Sequence, residues 1–174
     1  MWISLIGFNA SGKTTLAREF ARISGWRAVD LDREVQRAAG RPVAEIFAAE
    51  GPDGFREREA AVLAALPADD WLVVATGGGS LERPGTAALL SARGIVAWLD
   101  APWPVLRGRL EPPPNAAPRP VWTHLGEAGL AALYVRRRPQ YAATARLRLD
   151  SARPEAPTLA RRLLGRALQI EAAP

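Results

Sequence analysis

Cysteine is absent from this 174-residue chain and histidine occurs once, as His124. No disulfide framework, thiolate metal site, cysteine nucleophile or histidine cluster can therefore be built. No stretch approaches the roughly 18 apolar residues that a membrane-spanning helix needs. The apolar start Met1-Trp2-Ile3-Ser4-Leu5-Ile6 lacks a basic leader and is too short for a secretion signal, so a cytoplasmic location is expected. Lysine is the scarcest cation: of 23 basic side chains, 22 are arginine and Lys13 alone is lysine.

That lysine lies in Gly7-Phe8-Asn9-Ala10-Ser11-Gly12-Lys13-Thr14, which fits G-x-x-x-x-G-K-[ST]. Arginine carries a wide planar fork, whereas a lysine ammonium is compact enough to lie against a β/γ-phosphate inside a tight loop. The motif follows an apolar strand-like run and opens a helix-like one. In that setting the backbone N–H groups of Asn9, Ala10, Ser11 and Gly12 and the helix N-terminus can face an anion. Thr14 would offer its hydroxyl to Mg²⁺, while Thr15 begins the helix packing.

A composition of 48% hydrophobic and 24% charged residues is ordinary for one globular domain of this length. The net charge of +5 suggests an anionic partner. Most arginines, however, alternate with acids and alanines on helix-like stretches, and no run interleaves basic with aromatic residues. Small anionic substrates are therefore expected, with neither nucleic acid nor membrane as a partner.

Along the chain, Trp2 to Ile6 reads as a buried strand and Gly12 to Ser24 as a helix. Ala28 to Asp30 reads as a second strand. Residues 32–66 read as helical, broken at Gly40-Arg41-Pro42 and at Glu50 to Gly54. Trp71 to Thr76 and Ile95 to Leu99 are near-continuous apolar runs, as expected of strands covered on both faces. Helices are expected over Gly85 to Arg93, Pro102 to Leu110, residues 124–145 and Pro157 to Ile170, with an extended segment at Arg146 to Leu149. The proline-rich stretch Glu111 to Trp122 reads as a loop. Strands alternating with helices imply right-handed βαβ units and a parallel α/β sheet.

Asp30 and Asp32 would face one side if both lay on the second strand. One could hold metal-bound water and the other accept a hydroxyl proton; alternatively, they cap a helix and occupy its first turn. Arg56, in Phe55-Arg56-Glu57-Arg58-Glu59, can be read alone as a solvated helix residue. Gly77-Gly78-Gly79 alone is a turn. Arg136, Arg137 and Arg138 point about 100° apart on a helix and cannot all serve one ligand.

In order and spacing, these segments resemble the shikimate kinase family over nearly the whole chain. The resemblance rests on GFNASGKTT at 7–15, DLD at 30–32, IF at 46–47, FRERE at 55–59, ATGGGS at 75–80, RLEPPPNAAPRP at 109–120, RRRPQY at 136–141 and Ser151-Ala152-Arg153-Pro154. It implies a P-loop kinase fold with a five-stranded parallel sheet in the order 2-3-1-4-5, flanked by helices. It also implies a substrate-binding segment over about 32–60 and a lid over about 110–123 within one domain.

The implied reaction moves the γ-phosphoryl of ATP to the 3-hydroxyl of shikimate with Mg²⁺, in a monomer. Asp32 would orient or deprotonate the hydroxyl. Lys13 and the lid residue Arg119 would neutralise phosphate charge, and Asp30 with Thr14 would hold the metal. Arg56 and Arg137 would clamp the substrate carboxylate beside Gly77, Gly78 and Gly79, with Glu59 fixing Arg56. Val43, Phe47 and Phe55 would wall the carbocycle. Arg109, Arg153 and Pro154 would flank adenine, and Thr15 would belong to the nucleotide-facing set.

Arg136 rivals Arg137, and Arg107 rivals Arg109. The sequence departs from the family where Val121-Trp122 replaces two leucines after Arg119-Pro120, at Pro112-Pro113-Pro114-Asn115, and at Gln140. A gluconate-type acceptor, or nucleotide binding without turnover, are the alternative readings.

Overall fold

A computed structural model describes residues 1–68, 70–111, 120–153 and 155–171, the side chains of 120–124 excepted. Arg119, Pro154, residues 112–118 and the side chains of Trp122 and His124 therefore lie outside the described residues, as does most of the expected lid.

Five strands form one parallel sheet: β1 (Trp2–Ile6), β2 (Arg27–Asp30), β3 (Leu72–Ala75), β4 (Gly94–Asp100) and β5 (Leu147–Asp150), ordered β2-β3-β1-β4-β5. The helices are α1 (Lys13–Ser24), α2 (Leu31–Ala39), α3 (Val43–Ala65), α4 (Thr86–Arg93), α5 (Trp103–Leu110), α6 (Pro120–Thr144) and α7 (Ala156–Glu171). Strand β1 lies at the centre, pairing Ile3 with Val73 on one side and Ile95 on the other. Every residue of β1 and β3 is buried, because helices cover both faces and leave no strand surface for water.

The alternation of side chains along β1 divides the core in two. Ile3 and Leu5 join Leu16, Ala17 and Phe20 of α1 and Leu159, Ala160 and Leu163 of α7 on one face. Trp2 and Ile6 join Leu63 of α3, Leu90 of α4, Leu106 of α5 and Leu130 and Tyr141 of α6 on the other. None of the described helices is long and apolar enough to cross a membrane.

The structure refines several boundaries. The expected break at Glu50 to Gly54 is present inside α3 as a kink, after which the helical turns resume at once. Gly51 takes φ 70° and kinks the helix, and Pro52 then opens the next turn, where its missing N–H costs nothing. Helix α6 begins at Pro120, so the last residues of the expected 111–122 loop are helical, with a kink at Gly126 (φ 61°). A 3₁₀ turn at Ser80–Glu82, which the glycine run concealed, follows β3.

The carboxyl ends of the strands deliver the motifs to one edge: the phosphate loop after β1, Asp30 at the end of β2, the glycine run after β3 and Ser151 after β5. This is the edge at which open α/β sheets gather ligands.

Ser4, at the middle of β1, is fully buried, and its hydroxyl has no hydrogen-bond partner among the described residues. An unpaired buried hydroxyl costs about 1–3 kcal/mol. Ser4→Ala is expected to raise the denaturation midpoint, by about 1 kcal/mol in stability. Urea melts of the two proteins check this, and a destabilised alanine variant would show that the hydroxyl is satisfied.

Candidate active site

The phosphate loop bends where its residues allow it. Gly7 has φ 139°, and a Cβ there would stand 2.5 Å from the Leu99 carbonyl oxygen, so no larger residue fits. Gly12 caps α1 in the left-handed region, and Ala10, at φ 61°, is the one non-glycine residue with positive φ among the described residues. A left-handed alanine stores backbone strain, which is a recurrent feature of ligand-binding loops. Lys13 is 8% exposed. Its ammonium donates to the carbonyl oxygens of Gly7 at 2.8 Å and Phe8 at 2.9 Å. Burial lowers the Lys13 pKa to about 8, with Asp32 opposing the shift and Arg137 adding to it.

The loop floors a cleft of about 670 Å³ that is also lined by Asp30, Asp32, Thr76, Gly78, Arg109 and Ser151. Asn9, Ala10, Ser11, Gly12 and Thr14 all face it. Thr15 does too, and is exposed, which corrects its reading as a packing residue.

Asp30 and Asp32 do not share a strand face, because β2 ends at Asp30 and α2 begins at the next residue. Asp30 is the N-cap, accepting from Arg33 N–H at 3.3 Å, and its other oxygen accepts from the Thr14 hydroxyl at 2.8 Å. Asp32 sits in the first turn of α2 and opens onto the cleft. The protein crowding it pushes its pKa up to about 6, helped by Glu59 and Asp30 and opposed by Lys13 and Arg56. Water still reaches the carboxylate through the cleft mouth, so screening limits the energetic weight of this shift.

Thr76 ties β3 to β1, its N–H and hydroxyl both donating to the Leu5 carbonyl. The three glycines that follow each meet different neighbours. A Cβ on Gly77 would strike Glu59 and one on Gly78 would strike Asn9. A Cβ on Gly79 would run into Arg56 and into Arg137 Nη2 at 2.5 Å. Both guanidinium groups thus converge on Gly79.

Arg56 pairs with the 2%-exposed Glu59, which also accepts from Ser80 Oγ at 2.7 Å. The buried Nε of Arg56 finds no acceptor among the described residues. Arg137 reaches Asn9 Oδ1 at 3.5 Å and packs over Phe8. Its side chain is 8% exposed against 70% for Arg136, which separates the two rivals. Arg138 turns away to Asp100 at 2.8 Å, stacking on Trp98. Phe47 and Phe55 stack at 4.4 Å beside Val43, with Phe55 only 2% exposed and Arg56 over its ring.

On the opposite wall, Arg109 donates to the carbonyls of Ser151 at 2.8 Å and Ala152 at 3.1 Å. Arg107 instead turns to Glu127 at 3.3 Å. Arg153 is exposed beside Ala152.

Glu82 escaped sequence reasoning, and Tyr141 entered it only as the end of RRRPQY, without a role. Tyr141 donates its hydroxyl to the Gly78 carbonyl, and Glu82 accepts from Arg137 at 2.7 Å. Glu82 gave no signal because its partners lie 54 and 55 residues away.

Since Lys13 holds the Asp32 pKa down, Lys13→Met is expected to move the Asp32 midpoint above 6. Carboxylate NMR titration measures it, and an unmoved or lower midpoint would contradict this coupling.

Comparison with known proteins places the chain in a family. A family model described as Shikimate kinase matches residues 9–167. A shikimate kinase of Symbiobacterium thermophilum is 44% identical over 150 residues, 86% of each chain. One from Oleidesulfovibrio alaskensis is 43% identical over 155 residues, 88% of this chain and 90% of its own. The solved shikimate kinase from Acinetobacter baumannii in complex with shikimate superposes with a TM-score of 0.89 at 32% identity, covering 99% of this chain and 95% of that one. On these matches the chain belongs to the shikimate kinase family.

Proposed function

We propose that the chain transfers the γ-phosphoryl group of ATP to the 3-hydroxyl of shikimate, giving shikimate 3-phosphate and ADP. The observation that carries this reading is the convergence of Arg56 and Arg137 on Gly79, beside a cleft that holds both Lys13 and Asp32. Two guanidinium groups match a flat carboxylate. A bare nucleotide binder would need neither. The likeness to a relative solved with shikimate supports the same acceptor.

In the reaction, a bond forms between the acceptor hydroxyl oxygen and the γ-phosphorus as the bond from that phosphorus to the bridging oxygen of ADP breaks. Asp32 takes the hydroxyl proton and later returns it to water. With its pKa near 6 it is ionised at neutral pH yet basic enough to accept. Lys13 and the loop N–H groups offset phosphate charge in a transition state that needs positioning more than covalent help.

Thr14 and Asp30, a hydroxyl and a carboxylate held 2.8 Å apart, are hard oxygen donors of the kind Mg²⁺ takes alongside phosphate and water. When bound, that ion would neutralise the phosphates. Arg109, which lines the cleft, would flank adenine with Arg153 and Pro154, and Arg119 would approach the phosphates from a lid over about 110–123. The segment 32–60 would carry the acceptor side, with Phe47 stacked on the buried Phe55 as its apolar wall.

A coupled ADP-release assay across hydroxy-acids tests the reading. Shikimate is expected to be turned over, and Asp32→Asn to lower kcat by about 10²–10⁴-fold while still folding. Faster turnover of gluconate, or an Asp32→Asn variant near the parent rate, would contradict it.

A further inference from the structure

Glu82 closes the 3₁₀ turn that follows the glycine run, with its N–H on the Gly79 carbonyl at 2.9 Å. Its carboxylate lies where the two converging guanidinium groups meet. Oε1 accepts from Arg137 Nε at 3.2 Å and Arg136 Nη2 at 2.7 Å. Oε2 accepts from Arg137 Nη2 at 2.7 Å and stands 3.7 Å from Arg56 Nη2. The Arg137 contact is a bidentate fork, the geometry in which a guanidinium grips a ligand carboxylate.

We propose that Glu82 is a built-in competing carboxylate: it occupies the Arg56–Arg137 clamp in the unliganded protein and swings out with Arg136 when the substrate carboxylate enters. The proposal rests on the phosphotransfer reading above and adds a residue that sets affinity for the acceptor.

Three features support it. Arg56 already has Glu59, so Glu82 is a second counter-charge, and one the incoming carboxylate can replace. Arg136, 70% exposed, offers Glu82 a partner on the solvent side, so its charge stays paired after release. Glu82 hangs from a single short turn and is itself 26% exposed, so a side-chain rotation frees the clamp without unfolding a helix. Glu82 is held ionised, since Arg137, Arg136 and Arg56 outweigh its burial, and the competition therefore persists at neutral pH. A binding-competent state populated about one-tenth of the time weakens apparent affinity about tenfold.

Calorimetric titration of the full chain with shikimate, without nucleotide, reads the effect directly, and steady-state kinetics read it in turnover. Glu82→Gln is expected to tighten shikimate Kd and lower its KM by about five- to tenfold, the change falling in KM rather than kcat. Arg136→Gln, which removes the outward partner, is expected to weaken binding. Unchanged or weaker binding by Glu82→Gln overturns the proposal, because a residue that only orients Arg137 would lose affinity when neutralised. Should Glu82→Gln not fold, Arg136→Gln decides, and binding equal to the parent overturns the proposal. A parent protein that neither binds nor phosphorylates shikimate would instead refute the functional reading itself.

Discussion

Two guanidinium groups brought together over one glycine demand counter-charge, and much of the acceptor side of the cleft follows from that demand. Leaving a charge buried and unpaired costs several kcal/mol. Glu59, almost fully buried, answers Arg56 from one turn along the same helix and is itself steadied by Ser80. Glu82 answers Arg137 from the opposite side. Gly79 is the narrow point, its Cα facing the tips of both arginines, and Gly77 and Gly78 make room for Glu59 and Asn9. The glycine run is thus needed for close approach more than for a turn: Gly79 itself has φ −114°, which any residue adopts.

The nucleotide side depends on a different constraint. Lys13 is sequestered in the loop that it closes, donating to the loop's own carbonyls, and its buried charge is felt by Asp32. Both halves meet because β1 and β3 are neighbours in the sheet, so that the phosphate loop and the glycine run leave adjacent strand ends. Asn9, which faces the cleft and also receives Arg137, joins them.

What the sequence made legible follows from how local each interaction is. The phosphate loop could be read outright, because its chemistry is written in consecutive residues and a lone lysine marks it. The parallel sheet could be read from apolar runs bounded by glycine and acid. The acceptor side was readable only through family resemblance, since FRERE, TGGGS and RRRPQY are remote in the chain. Burial, not spacing, then distinguishes Arg137 from Arg136. The same-face reading of Asp30 and Asp32 failed because α2 starts without an intervening turn, making one acid the cap and the other a first-turn residue. Glu82 was invisible because pairing across more than fifty residues leaves no mark on local pattern.

The convergence at Gly79 is the claim on which the acceptor assignment stands, and adding one methyl group tests it. Gly79→Ala leaves the backbone unstrained but places a Cβ against Arg56, Arg137 and Glu82. Shikimate affinity of this variant, measured beside ATP affinity in the same preparation, is the decisive quantity. Shikimate binding is expected to weaken about tenfold or more while ATP binding and the fold are kept. Shikimate binding within twofold of the parent would contradict the convergence at Gly79.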